Sequence, residues 1–364
     1  MKNNTIMEVD INKFYNNINK IKEYVGKKEI MPIIKANAYG TYLNKRLDVV
    51  NKFNIVAVAK VEEAIELRQL GYHKEIFILN QPSITELKEI KDYNLTIGLS
   101  EKEFLNKINL PVKVHLEIET GMNRTGIKLN DLEEYINIIK TNPNITVEGV
   151  YTHLSCADND EEYTNKQLEL FKKAVEIVKN NFNIKYIHSS ASNGLINYDD
   201  TVSNLVRPGI IMYGYESFKG SREIINVVPI TKLKTKITYI KDLDPNESVS
   251  YGRHFISNKK MKVATIPIGY ADGFRRNLSN TGEVIINNKK CQILGSICMD
   301  SCMVDITDID AKVGDEVYIW DNNIITVEEI AEKCSTINYE ILSTISSRVQ
   351  RVFQEREILW KKKC

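Results

Sequence analysis

The feature that most constrains the fold is an alternation of short apolar segments with amphipathic helical patterns through the first two thirds of the chain. Several apolar segments are continuously hydrophobic, as parallel strands buried on both faces are. Helical spacing is clearest at Gln167–Lys179, and Val61–Leu70 is a second predicted helix with Gly71 at the C-cap position. The eight predicted strands are Glu29–Ala36, Asn54–Lys60, Glu75–Asn80, Leu95–Ser100, Val112–Glu119, Val147–Leu154, Tyr186–Ala191 and Leu205–Tyr213.

Eight strands alternating with helices over roughly 220 residues favour a TIM (β/α)8 barrel, whose usual length is about 250 residues. A doubly wound open sheet is the alternative α/β architecture. After about Asn226 the pattern changes to short alternating segments separated by Gly, Asn and Asp turns, which indicates a mostly-β domain. We therefore expect an N-terminal TIM barrel at residues 1–228 and a C-terminal mostly-β domain at residues 229–364.

Composition excludes several classes of function. Lys and Arg number 49 and Asp and Glu 48, so the net charge of +1 gives no electrostatic basis for binding nucleic acid or an anionic membrane. No apolar stretch approaches the roughly 18 residues of a membrane span, and the N-terminal segment has no apolar signal region. The six cysteines form no Cys-x-x-Cys pair and the five histidines lack metal-ligand spacing. We expect a cytoplasmic protein without a metal that acts on a small molecule.

Reactive residues follow the predicted strands at the ends where TIM barrels carry their active sites. Lys35 ends the first predicted strand, and burial there would disfavour its charge and lower its pKa. A neutral amine is the form that attacks a carbonyl in Schiff-base chemistry, although a lysine at a strand end can also simply extend towards solvent. The other residues at these ends are Arg124, His153, Ser190, Ser192, Arg207 and Gly209.

Ser192 and Gly209 lie where the loops after strands seven and eight of a TIM barrel commonly hold phosphate. Glycine lets backbone N–H groups approach an anion closely. Each of the two residues alone is equally consistent with an ordinary loop. A buried lysine and a phosphate site on the same face of one barrel together indicate pyridoxal 5'-phosphate (PLP) as cofactor.

The segment Ile34–Gly40, with the sequence IKANAYG, closely resembles the PLP-lysine motif of the alanine racemases. Five further segments resemble motifs of the same family in the same order, so the resemblance covers almost the whole chain. The family combines a TIM barrel with a C-terminal β domain, as the patterning predicts. The further segments are Thr152–Leu154, Val206–Ile210, Val249–Gly252, Ile268–Gly273 and Ile297–Asp300.

The resemblance implies that Lys35 binds PLP covalently and acts as one of two catalytic bases, with Tyr251 as the other. It implies that Arg207 faces the pyridine nitrogen and that His153 lies beside the ring. The phosphate would be held by Tyr39, Ser192, Gly209 and Ile210, and the substrate by Arg124, Tyr270 and Met299.

By the same resemblance the chain is an isomerase that interconverts L- and D-alanine and supplies D-alanine for peptidoglycan. A proton leaves one face of the substrate α-carbon and another returns to the opposite face, so two acid–base groups suffice. In this family the tyrosine reaches the active site from the other subunit. The resemblance therefore implies a homodimer whose active sites are shared between subunits.

The chain departs from the family pattern at several positions. Thr41-Tyr42 replaces a usual His-Gly pair, and Ala191 replaces a common asparagine. Glu117 stands where the family commonly has a lysine, often carbamylated, and we expect its carboxylate to orient Arg124 directly. Ser347 stands before Arg348-Val349, where a tyrosine is expected to narrow the pocket.

Ser347 suggests extra space in the substrate pocket, so a serine racemase or a broader amino-acid racemase is the alternative within the enzyme class. A PLP-binding protein without racemase activity is a second alternative, but such barrels lack a C-terminal domain. Decarboxylases of basic amino acids share the two-domain plan. Their glycine-rich phosphate motif is missing here, and the chain is short for them.

Overall fold

The computed structural model describes residues 4–355. The strands are β1 (Ile6–Asp10), β2 (Glu29–Ile30), β3 (Ile55–Val58), β4 (Glu75–Ile78), β5 (Thr96–Leu99), β6 (Val112–Glu119), β7 (Ile127–Lys128), β8 (Ile145–Tyr151), β9 (Tyr186–His188), β10 (Leu205–Val206), β11 (Thr231–Lys236), β12 (Tyr239–Leu243), β13 (Ser248–Val249), β14 (Phe255–Ile256), β15 (Met261–Ile266), β16 (Glu283–Ile286), β17 (Lys289–Leu294), β18 (Cys302–Asp305), β19 (Glu316–Trp320) and β20 (Gln350–Gln354). The helices are α1 (Ile11–Val25), α2 (Lys35–Tyr39), α3 (Leu47–Val50), α4 (Val61–Leu70), α5 (Leu87–Asp92), α6 (Lys102–Lys107), α7 (Leu132–Thr141), α8 (Glu161–Asn181), α9 (Ser192–Asn197), α10 (Ser221–Ile225), α11 (Val327–Lys333) and α12 (Asn338–Ser343).

Eight parallel strands close into a barrel. Strands β3, β4, β5, β6, β8 and β9 pair in that order, and β10 pairs with β2. Backbone hydrogen bonds join the remaining edges: Arg207 N donates to Ser190 O at 2.9 Å, and Ile34 N donates to Ala57 O at 2.9 Å. The predicted TIM barrel is therefore confirmed, and its C-terminal strand ends meet around one opening.

The predicted strands are all present, but several end earlier than expected. Strand β10 stops at Val206, and Ile210–Tyr213 form a 3-10 turn instead of continuing it. Strand β8 ends at Tyr151, so His153 lies in the loop beyond it. The first predicted strand bends into a left-handed turn at Lys35 because a strand cannot continue through residues of positive φ.

Local sequence accounts for the barrel helices. The predicted helix Val61–Leu70 is α4 with the same bounds, and Gly71 ends it at φ 100° in the left-handed region. Helix α8 begins where Asp160 accepts a hydrogen bond from Tyr163 N at 2.9 Å, the usual N-cap interaction. Its buried face then packs Phe171 and Val175 against the barrel. No helix among residues 4–355 is long and apolar enough to cross a membrane.

The second domain is built on a nine-stranded sheet with the order β12-β15-β18-β17-β16-β19-β11-β1-β20. Strand β1 comes from the N-terminus, which the sequence assigned to the barrel, and it pairs antiparallel with β11 and parallel with β20. The side chains of Met7 and Val9 in β1 are fully buried in this sheet. Because β1 has a neighbouring strand on each side, the backbone hydrogen-bonding groups of both its edges are paired. Apart from β1, the predicted boundary between the barrel domain (residues 1–228) and the second domain (residues 229–364) stays a proposal.

We expect Met7→Ala to destabilise the protein by about 2–5 kcal/mol, because it removes a buried side chain from the centre of this sheet. The exposed Asn16→Ala in α1 is the matched control and should change stability by less than about 0.5 kcal/mol. Urea unfolding measures both values, and hydrogen exchange should show lost protection in β11 and β20. Equal stabilities for the two variants would contradict the placement of β1.

Candidate active site

A cavity of about 340 Å³ opens at the C-terminal ends of the barrel strands. Most of the residues singled out in the barrel sequence meet there, although they come from distant parts of the chain. Helix α12 of the second domain adds Tyr339 and Ser343 to the wall, so both domains form the cavity. The barrel residues in the wall include Lys35, Tyr39, Arg124, His153, Ser192, Arg207 and Gly209.

Lys35 stands at the start of an unusual backbone turn. Ala36, Asn37, Ala38 and Tyr39 all have φ between 52° and 55°, the left-handed region that L-residues rarely adopt. Hydrogen bonds from Ala38 N to Ile34 O at 3.0 Å and from Gly40 N to Ala36 O at 2.9 Å close the turn. Left-handed helix costs roughly 1–2 kcal/mol per L-residue. Strain of this kind concentrates at functional sites, where the surrounding structure holds it.

The electrostatic surroundings of Lys35 favour its neutral amine. Burial lowers its pKa, the positive charges of Arg124 and Arg207 lower it further, and the Glu63 carboxylate opposes them. The cavity therefore combines an amine that is available for attack with two guanidinium groups. Such a wall is suited to an anionic ligand.

Arg207 is a buried guanidinium with an extensive set of hydrogen bonds. Its Nη1 donates to His188 Nδ1 at 2.7 Å and His188 O at 2.8 Å. Its Nη2 donates to Thr152 O at 2.8 Å and Ser189 O at 2.9 Å, and lies 3.2 Å from His153 Nδ1. Burial lowers its pKa to about 10, so it stays charged at neutral pH. Within residues 4–355 its Nε has no acceptor, which leaves one donor for a ligand.

Three histidines continue this network and are all held neutral. Because a guanidinium only donates, His188 Nδ1 must accept, and His188 Nε2–H then donates to His115 Nδ1 at 2.9 Å. Burial, followed by the charge of Arg207, lowers the pKa of His115 to about 3 and that of His153 to about 3. The same causes lower the pKa of His188 well below its usual value. Arg207 is therefore the cation of this cluster.

Another part of the cavity wall has the form of a phosphate cradle. Gly209 N donates to Ser192 Oγ at 3.1 Å. A Cβ at Gly209 would overlap the hydroxyl of Tyr39, so only glycine lets these groups come together. Ile210 is fully buried and does not line the cavity, so its contribution stays a prediction. These hydroxyl and amide groups match the loops that bind phosphate in TIM barrels.

Tyr339 was not identified as a site residue from the sequence, and it lines the cavity. Its ring centroid lies 5.9 Å from that of Tyr39. Ser347 is exposed and outside the cavity, beside Arg348, which forms an ion pair with Asp300 at 2.7 Å. The contribution of Ser347 to the substrate pocket therefore stays a prediction.

Tyr251, Tyr270 and Met299 lie together on the surface of the second domain rather than in the cavity of their own chain. Their exposures are 74%, 43% and 52%. Tyr270 N donates to Cys298 O at 3.1 Å, and Ser296 Oγ donates to Tyr251 O at 3.1 Å, so neighbouring segments of one loop cluster carry all three. Their contribution to a partner's cavity stays a prediction.

Glu117 does not bind Arg124 as expected. It is buried and accepts a hydrogen bond from Thr125 Oγ1 at 2.9 Å, and no ion pair with Arg124 occurs within the described chain. Burial raises the pKa of Glu117, while Thr125 and the charge of Arg124 oppose this shift. Its carboxylate thus holds the loop that carries Arg124 through the neighbouring threonine.

A closed barrel with a partly buried lysine, a phosphate cradle and a charged guanidinium at its C-terminal opening has the architecture of an enzyme. The family models of the alanine racemase N-terminal domain and C-terminal domain match residues 9–217 and 230–353. The alanine racemase of Halothermothrix orenii is 37% identical, with 97% of each chain covered. That of Methanococcus maripaludis is 36% identical, with 95% of this chain and 97% of the relative covered. The chain belongs to the alanine racemase family.

Solved structures agree with this assignment. The alanine racemase of Clostridium difficile has a TM-score of 0.91 and 35% sequence identity, over 98% of this chain and 97% of that chain. The alanine racemase of Bacillus anthracis with bound L-Ala-P has a TM-score of 0.92 and 29% identity, over 98% and 96%. The two-domain architecture is therefore that of the family throughout the described chain.

The neutral histidines make the protein sensitive to acid. The unfolded chain takes up protons on histidine near pH 6.5, whereas folded His115 and His153 have a pKa of about 3. Acid therefore favours the unfolded state as pH falls below 6.5. We expect a loss of roughly 2 kcal/mol per imidazole between pH 6.5 and 5, measured by urea unfolding of the apoprotein.

The matched variants are His115→Asn, which keeps an acceptor for His188, and His73→Gln at an exposed position. We expect His115→Asn to reduce the loss of unfolding free energy between pH 6.5 and 5 by about 2 kcal/mol, the contribution of one imidazole. We expect His73→Gln to leave this loss unchanged. An acid loss that is identical in both variants would contradict the neutral state of His115.

Proposed function

We propose that this protein binds PLP and interconverts L- and D-alanine by a two-base mechanism. The observation that carries the proposal is the meeting of Lys35, Arg207 and the Ser192–Gly209 cradle around one cavity. The three groups match the three parts of the cofactor: its aldehyde, its ring nitrogen and its phosphate. When bound, PLP withdraws electrons from the substrate α-carbon and so makes its proton removable.

The residues present fit the cofactor at each of these parts. Lys35 supplies the amine for covalent attachment, and its lowered pKa increases the neutral fraction. Tyr39, Ser192 and the amides around Gly209 and Ile210 would hold the phosphate. Arg207 Nε, which lacks an acceptor in the described chain, would supply a hydrogen bond to the pyridine nitrogen.

Arg207 also determines the kind of reaction that follows. A guanidinium does not give up its proton, so it leaves the pyridine nitrogen unprotonated. By keeping that nitrogen unprotonated, Arg207 would weaken electron withdrawal by the bound cofactor and so favour return of the proton to the α-carbon over transamination. The hydrogen bonds of Arg207 to the strand-end carbonyls fix it for this role.

Two groups would move the protons. The Lys35 amine removes or returns a proton on one face of the α-carbon, and Tyr251 of the partner subunit does so on the other. Arg124 would place the substrate carboxylate, with Met299 and Tyr270 of the partner subunit beside it. The exposure of Tyr251 in the single chain supports a role across a homodimer interface. The product D-alanine would supply peptidoglycan.

The serine racemase alternative rested on extra space beside Ser347. Ser347 is exposed and lies outside the cavity of its own chain, whereas the relatives that match the whole chain are named alanine racemases, so we propose alanine as the substrate.

The direct test is chiral analysis of the purified, PLP-loaded protein supplied with L-alanine and L-serine in separate reactions. Because the relatives that match the whole chain are named alanine racemases, we expect D-alanine to form at least about tenfold faster than D-serine, the discrimination that one small substituent can give. Equal initial rates would contradict alanine as the substrate, and absence of both products would contradict racemisation.

A mixing experiment tests whether active sites are shared. We expect Lys35→Ala and Tyr251→Phe to be inactive separately, because each removes one of the two bases. When the two proteins are mixed under exchanging conditions, the heterodimer has one intact site if sites are shared, so activity should recover to about a quarter of the wild-type value. Size-exclusion chromatography checks the dimer, and no recovery from an exchanged dimer would contradict shared sites.

A further inference from the structure

The left-handed turn Lys35–Tyr39 begins at an amide that a carboxylate holds. Glu63 of α4 accepts a hydrogen bond from Ala36 N at 2.7 Å through Oε1. Its Oε2 accepts from Ala59 N at 2.7 Å and from Lys60 N at 3.3 Å, beside the end of β3. One side chain therefore ties the start of the turn to the neighbouring barrel strand, with charge-assisted hydrogen bonds.

The turn ends at a carbonyl that a guanidinium holds. Arg351 of β20 donates from Nε to Gly40 O at 2.9 Å. Its remaining nitrogens donate to the carbonyls of its own domain, Nη2 to Ile345 O at 2.7 Å and Nη1 to Val349 O at 2.6 Å. Arg351 thus connects the turn to the second domain through a rigid planar group.

The contact between the turn and the second domain is close. A Cβ at Gly40, where φ is 76°, would collide with Leu342 O, so only glycine permits this approach. The Tyr42 ring lies 4.5 Å from the Arg351 guanidinium, in stacking distance. Tyr42 itself has a φ of 61°, at one of the positions where the chain departs from its family. The tyrosine therefore covers the guanidinium at some conformational cost.

We propose that Glu63 and Arg351 are positioning residues that hold the left-handed turn from both ends and so direct Lys35 into the cavity. A negative charge on the amide end and a positive charge on the carbonyl end both complement the dipole of the turn. This inference deepens the proposed role of Lys35 and rests on it. It assigns to the second domain a part in fixing the reactive lysine of its own chain.

The charges around Lys35 indicate that Glu63, unlike Arg351, also affects the pKa of Lys35. Glu63 raises the pKa of Lys35, whereas Arg124 and Arg207 lower it. Neutral His153 is the other titratable group that faces this amine. Removing the charge of Glu63 should therefore lower the pKa of Lys35, and changing Arg351 should leave it nearly unchanged.

The first experiment measures amide hydrogen exchange in the apoprotein, at Ala38 and Gly40, whose N–H groups close the turn. We expect Glu63→Gln and Arg351→Gln each to speed this exchange about tenfold, while the urea midpoint and exchange in other barrel loops stay near wild type. The matched controls are Glu62→Gln and Arg276→Gln at exposed positions. Arg351→Lys keeps the charge but loses the planar group, and should recover only part of the protection.

The second experiment measures acetylation of Lys35 in the apoprotein over a range of pH, read by mass spectrometry of its peptide. We expect Glu63→Gln to lower the pH midpoint by about one unit, and Glu62→Gln and Arg351→Gln not to shift it. Unchanged exchange together with an unchanged midpoint in Glu63→Gln would overturn the proposal. Both measurements need no cofactor, so a failure of PLP binding would contradict the proposed function without affecting this result.

Discussion

The structure depends on the burial of one charged group, the Arg207 guanidinium, at the opening of the barrel. An unpaired buried charge is very costly, so acceptors must surround it. The barrel supplies them where its strands end, from the carbonyls of Thr152, His188 and Ser189. The same carbonyls are available only because parallel strands stop together at this rim. One of them, His188 O, also accepts a hydrogen bond from Thr152 N at 3.2 Å, so it serves both the site and the barrel backbone.

From this constraint the states of the nearby groups follow. The guanidinium fixes which nitrogen of His188 carries the proton and, through it, the tautomer of His115. It also helps to keep His153 neutral and the Lys35 pKa low. Together with burial, a single buried cation therefore determines the protonation states of the groups around the cavity before any ligand binds. This is electrostatic preorganisation, in which the polar groups are already oriented for the charge that they will meet.

Much of this organisation could be predicted from the sequence, because continuous apolar segments identify buried parallel strands and the strand ends locate the site. The failures have a common physical cause. The left-handed turn after Ile34 and the position of Tyr339 in the cavity wall depend on residues far away in the chain, and the hydrogen bond from Thr125 to Glu117 depends on how the loop after β6 folds back. Local pattern does not contain that information. The exposed cluster with Tyr251 was identifiable only through family resemblance.

The pairing of β1 with β20 has a consequence for how the protein is made. Ile6 and Gln350 are neighbours in parallel strands although about 340 residues separate them. Synthesis at roughly 5–20 residues per second means that β1 waits for tens of seconds before β20 leaves the ribosome. Such a high contact order makes completion of this sheet a late and slow event. During that interval one edge of β1 is an open template for strand addition, so nascent chains of this protein should be clients for chaperones that shield exposed strands.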